Sequence, residues 1–295
     1  MSVLPHGRAI GLMVVCALLW STAGVVTRHL SPELQAQGRF EITFWRSVFA
    51  AVFVAGVLFI VRRQPLRVLW AGGWAGAVSG GMWAVMFTFF MLALTLTTVA
   101  NTLLVLSLAP LLTALLARAV LKLPIAARTW AAIAVATAGM VWIASGGGAG
   151  RPSGAHLLGM IVAFAVPLAS AINLVTLQKI RAQVDLVPAV FIGGVLSALL
   201  MLPLALPVQA SARDLLLLAG LGFFQLGLPC MLMVVAARTL AAPEIALLAL
   251  LEVVFGTAWA WLGAGEVPAG ATLAGGALVL AALVANEVVA LRRER

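Results

Sequence analysis

About ten mostly apolar runs, each of about 18 to 25 residues, follow one another along this chain with only short gaps between them. That pattern restricts the folds open to it. An α-helix of about 20 residues spans the roughly 30 Å hydrocarbon layer of a bilayer. The approximate cores are residues 9–29, 42–61, 71–94, 98–120, 127–145, 155–178, 186–206, 214–237, 243–263 and 269–290. Of the 295 residues 64% are apolar and 9% charged, against about 25% charged in soluble domains. No soluble core absorbs so much apolar surface, so the lipid bilayer is the solvent. The expected fold is an all-α integral membrane protein with about ten transmembrane helices.

A net charge of +9 would point to nucleic acid in a soluble protein. Here the basic residues sit between apolar runs and sort by side. With a cytoplasmic N-terminus, 13 of them lie inside and 5 (Arg28, Arg39, Arg46, Arg151 and Arg213) outside. The positive-inside rule then places both termini in the cytoplasm, with no nucleic-acid partner. The N-terminal "RAIGLMVVCALLWSTAGVV" has the basic flank of a signal peptide but continues to about Thr27, long enough to be a retained first span. Cys16 and Cys230 both lie within apolar runs and are read as packing residues.

The longest polar-looking break, "SGGGAGRPSGAH" at residues 145–156, falls at the midpoint, with five runs on each side. This divides the chain into a first five-helix repeat (1–145), a central linker (146–154) and a second five-helix repeat (155–295), inserted in opposite senses. "VLSLAPLLTALLARAVLKLP" and "LALLEVVFGTAWAWLGAGEV" align without gaps, setting Pro110 over Val253 and Asn101 over Glu244. Inverted repeats of this kind are typical of transporters, in which exchanging the conformations of the halves moves the opening from one side to the other.

Function should concentrate where polar groups or helix breakers sit at mid-depth. Glu252 is near the centre of span nine, where an ionised acid costs roughly 2.5 to 3.5 kcal/mol. It must face protein or water, either as a proton-coupling or substrate-amine site or as a structural acid bonded to a neighbouring helix. Ala249 and Gly256 leave room on the same face. Trp20 and Trp83 are central, and Trp83 with Met82, Met86 and Phe90 would make an adaptable apolar wall. Ser21, Asn101, Ser107, Ser170, Asn173 and Gln225 add uncharged polar groups suited to a zwitterion, although serine can instead bond its own helix backbone. Pro110, Pro167 and Pro229 fall within spans four, six and eight as expected kinks, and Gly72, Gly76 and Gly80 give span three a close-approach or sliding face, with Gly80 the candidate hinge. Arg46 lies about one turn inside the outer boundary and is read as snorkelling to the headgroups.

Competing classes find little support. There is no Gly-Lys pair and hence no P-loop. Ser79 precedes Gly80, but no histidine lies at its depth to act as base, and no histidine–cysteine cluster suits a metal. The chain is therefore expected not to be an enzyme and to need no cofactor or metal. A channel would need a charge ring or a filter-like loop, and neither is present.

The stretches "ALLWSTAGVVTRHL", "FWRSVFAA", "LAPLLTALLARAVL" and "LLEVVFGTAWAWLGAGE" resemble the drug/metabolite transporter superfamily in its ten-helix EamA-type branch. Among relatives the chain is most similar to YddG-type exporters of aromatic amino acids. The resemblance implies ATP-independent export of a small metabolite, amino acids including aromatic ones, by alternating access through a central cavity. It also implies a bacterial-type inner (plasma) membrane location, with oligomeric state open and a monomer sufficient. The family often has Glu-Pro where this chain has Glu252 and Val253, so span nine is expected to lack a kink there.

Overall fold

The computed structural model describes residues 4–61, 67, 70–96, 102, 105–122, 124–146, 154–180, 184–264 and 270–293. Helices account for the regular structure, and no strand occurs among the described residues. In lipid every backbone N–H and C=O must find its partner within the protein, a demand a helix meets locally. Span one consists of α1 (His6–Trp20) and α2 (Ala23–Thr27); a short surface helix, α3 (Pro32–Gln37), follows. Next come α4 (Arg39–Val61), α5 (Gly73–Leu96), α6 (Ala109–Leu121), α7 (Ala127–Gly146), α8 (Gly154–Ile180) and α9 (Val187–Met201). Span eight joins α10 (Ala212–Gly220) to α11 (Leu228–Ala236) through a π-helical stretch, Leu221–Gly227. Span nine is α12 (Ala242–Ala249) plus α13 (Leu251–Ala264), and α14 (Gly270–Arg293) closes the chain. Each of the ten expected runs thus coincides with helix, and six of these segments are long and apolar enough to cross a membrane among the described residues.

The outer surface is apolar: Ile60 is 86% and Leu216 75% exposed. Such exposure is tolerable only against lipid. Inside, α5 packs on α8 and α9, α4 lies against α9 and the π-helical stretch, α1 sits on α11, and α7 pairs with α14. Small residues permit the closest of these approaches. A Cβ on Gly222 would lie 2.5 Å from Phe49 Cβ and 2.8 Å from the Arg46 carbonyl oxygen. Gly193 likewise meets the Cβ of Trp83.

Polar bonds fix neighbouring helices. Ser197 Oγ is shared at 3.0 Å by Ser47 Oγ and Thr88 Oγ1, linking α4, α5 and α9. At one end of the bundle, His6 Nε2 meets Glu244 Oε1 and Arg238 Nη2 meets Asp185 Oδ1, both at 2.8 Å, while the Ala242 N–H donates to Gln178 Oε1 at 2.9 Å. At the other end the buried Glu41 carboxylate accepts the N–H groups of Gln209 and Ala210, and Asp214 accepts those of Ser31 and Ser211.

Several expectations about helix shape are corrected. Span nine breaks at Leu250 without a proline: Leu250 N–H donates to Leu247 O at 3.0 Å and Val253 N–H to Leu250 O at 3.1 Å, a tight turn replacing α-helical bonds. Pro110 does not kink a helix interior but stands in the first turn of α6, where a missing N–H is harmless, whereas Pro229 follows the π-helical stretch inside the continuous Ala212–Ala236 span. Pro167 does lie inside its helix, and α8 runs through it. Gly80 lies inside the continuous α5 and serves close contact, a Cβ there meeting Ile192 Cγ2 at 2.6 Å, whereas Gly76 faces open space. The stripe is therefore not one sliding face.

Candidate functional site

The broken helices converge on one cavity of about 190 Å³. A dry cavity of about 150 Å³ is enough to take benzene, so a ring-bearing molecule fits the space. The cavity wall draws on seven spans, and their interruptions lie close to it. Span one breaks at Ser21–Thr22, immediately after Trp20; their hydroxyls return to Leu18 O and Leu19 O, both at 2.7 Å, satisfying carbonyls that the break would orphan. Span four turns at Ser107–Leu108 and span nine at Leu250. In the gapless alignment of the two halves Ser107 falls over Leu250, so both breaks occupy matched positions beside the same cavity.

One wall is apolar and aromatic. Trp83, Met86, Phe87 and Phe90 share a face of α5 at helical spacing, with the Trp83 and Phe87 ring centroids 5.5 Å apart, and Trp20 stands on span one. Met82 is one residue, about 100° of helical turn, away from Trp83 and leaves the wall. From α8 come Pro167, Ser170 and Leu174; Asn173 turns instead into the α5 interface, where its Oδ1 accepts the Ser79 hydroxyl at 2.6 Å. Ser21 also misses the cavity: its hydroxyl bonds back to Leu18 O and accepts Trp259 Nε1–H at 3.0 Å. Asn101 lies outside the described residues.

The rest of the lining is also mostly apolar, with a few polar groups set into it. Gln225, in the π-helical stretch, donates from Nε2 to Trp20 O at 3.4 Å, and its Oε1 has no protein partner. Trp83 Nε1–H is likewise buried without an acceptor. Glu252, in the first turn of α13, is half-buried and lines the cavity, as do Ser107 and Ser170. Cys230 joins this wall, while Cys16 donates to Pro229 O at 3.2 Å in the packing role expected of it.

Arg46 corrects the sequence reading most. It does not snorkel: it is 3% exposed and lines the cavity. α4 starts at Arg39, before the apolar core begins, so Arg46 lies about two turns into the helix, under the π-helical stretch that meets its carbonyl through Gly222. A signal was present in the sequence. Thr43, Arg46, Ser47, Ala50, Ala51 and Val54 recur at helical spacing as the buried stripe of α4, and bulkier Val52, Phe59 and Ile60 face outward.

The family described as the EamA-like transporter family matches this chain twice, over residues 7–145 and 157–286. A solved structure described only as "Crystal structure of protein" superposes with a TM-score of 0.77 over 98% of this chain and 99% of that one, at 21% identity. At that identity the likeness concerns the fold alone. No curated protein matches the sequence.

Proposed function

Because the chain belongs to the EamA-like transporter family, we propose that it is a secondary exporter of amino acids, aromatic and other apolar ones included, working by alternating access through this cavity. Within the drug/metabolite transporters this is the YddG-type activity that the sequence resembles. The observation that carries the reading is the composition of the cavity: a mostly apolar lining of about 190 Å³, rich in aromatic and thioether side chains from α5 and span one, that also holds Arg46, Gln225, Ser170 and Glu252. An apolar amino acid has the same division, a hydrophobic side chain beside a compact pair of charges. A cavity lined mainly by apolar groups with a few placed polar ones is the usual form of a small-molecule site.

Two five-helix halves, 1–145 and 155–295, joined by residues 146–154 and inserted in opposite senses, supply the machinery. The paired family matches and the paired breaks at Ser107 and Leu250 support that division. The positive-inside rule puts both termini in the cytoplasm, and the resemblance implies a bacterial-type inner membrane. Matched turns beside the cavity give each half a point about which its two helical segments can reorient. Glu252 is the proton-coupling candidate in this scheme.

The reading is tested by reconstituting the protein in liposomes and measuring uptake of labelled phenylalanine against an excess of each amino acid in turn. Competition by tryptophan, leucine and threonine, with little from aspartate or lysine, is expected. If no amino acid competes, the cargo is another amphipathic metabolite and the amino-acid assignment falls.

A further inference from the structure

We infer that Arg46 is the anchor for a carboxylate in the cavity, so the cargo must carry an anionic group. This deepens the amino-acid reading and rests on it for the rest of the cargo's structure. Arg46 is 3% exposed and lines the cavity. Its Nε–H is buried without an acceptor, and neither a hydrogen bond nor an ion pair engages its guanidinium among the described residues. Leaving a buried donor unmet costs free energy, so such groups in native structures have a partner or a purpose.

Its polar neighbours along α4 have their partners already. Ser47, the next residue, is taken up by Ser197, and Glu41, one helical turn and a half earlier, by the backbone of Gln209 and Ala210. Glu252 lines the same cavity near enough to feel the Arg46 charge, yet the two form no direct ion pair. A cation and an acid thus face one space without joining, and the close seat of Gly222 on the Arg46 carbonyl fixes the backbone from which the cation projects. Guanidinium presents a planar fork of donors that matches a carboxylate bidentately. With the carboxylate on Arg46, Glu252 and Gln225 in the same lining can take an α-ammonium, and Trp83 and Phe90 an apolar side chain. The cargo class that fits is a free α-amino acid, rather than an amine or an esterified or decarboxylated derivative.

The test is direct binding by titration calorimetry on the purified full-length protein in detergent. The probes are 3-phenylpropanoate (ring and carboxylate), phenethylamine (ring and ammonium) and phenylalanine, applied to wild type, Arg46→Gln and Arg46→Lys. Phenylpropanoate should bind the wild type, lose about tenfold or more in affinity in Arg46→Gln, and recover part of it in Arg46→Lys, which keeps the charge but not the fork. Phenethylamine, which lacks the carboxylate, should bind all three only weakly and alike. Undiminished phenylpropanoate binding in Arg46→Gln overturns the anchor, as does a wild type that binds phenethylamine but not phenylpropanoate; the latter comparison needs no variant to fold. Arg46-dependent phenylpropanoate binding in a protein that transports no amino acid would leave the anchor standing and remove the amino-acid reading. Phenylalanine transport unaltered by Arg46→Gln would do the reverse.

Discussion

Glu252 and Arg46 reach the cavity from opposite kinds of local structure: the acid from the first turn of a helix that has just restarted, the base from the interior of an unbroken one. The half-buried position of the Glu252 carboxyl group in the cavity lining gives it access to whatever enters the cavity. Such an acid can alternate between proton and cargo. Glu252→Gln is expected to abolish the dependence of transport on a pH gradient across proteoliposomes while leaving gradient-free exchange measurable; an unchanged gradient dependence would remove Glu252 from coupling. At this scale the sequence was only partly legible. Trp20, Trp83, Met86, Ser107, Ser170, Gln225 and Glu252 stand on the wall, but Met82, Ser21 and Asn173 turn away from it and Arg46 turns into it. Depth can be counted along a sequence, whereas facing depends on which neighbour claims each side. In a nearly all-apolar helix the polar and apolar faces differ too little to declare that.

Among the elements, the turns at Ser107–Leu108 and Leu250 distinguish these spans from plain bilayer-crossing rods. Irregular backbone at membrane depth is tolerated where it is buried in protein or lines a cavity, and both turns do so. Span nine breaks although Val253 stands where the family often has proline, so proline is not what makes the turn. Val253 lies third in α13 and donates to Leu250 O. Val253→Pro removes that hydrogen bond and should cost about 1 kcal/mol, whereas Phe255→Pro, past the first turn, should cost about 3 kcal/mol; thermal unfolding in detergent compares the two. Close approaches give a second contrast. Gly222→Ala drives a Cβ against the Arg46 carbonyl oxygen and Phe49 and should destabilise by about 1 to 3 kcal/mol. Gly76→Ala meets nothing within 4 Å and should be neutral within about 0.5 kcal/mol. Glycine spacing alone grouped Gly76 with Gly80, which does meet Ile192, because it carries no information about the partner helix.

For the whole molecule, the ten spans were plain from length and apolarity, since the bilayer imposes both on every crossing segment. The short α3 was not, being only Pro32–Gln37 and outside any apolar run. Ties at the two ends set what must give way if the cavity is to open alternately. The His6–Glu244 and Arg238–Asp185 contacts tie helices together at one end, and the backbone caps at Glu41 and Asp214 do so at the other. A carrier exchanges these ends in turn, so it returns faster when loaded from the far side. Liposomes preloaded with labelled phenylalanine and diluted into buffer with or without unlabelled phenylalanine measure this directly. External phenylalanine should accelerate loss of the label several-fold; efflux indifferent to, or slowed by, the external amino acid would contradict a reorienting cavity as the means of transport.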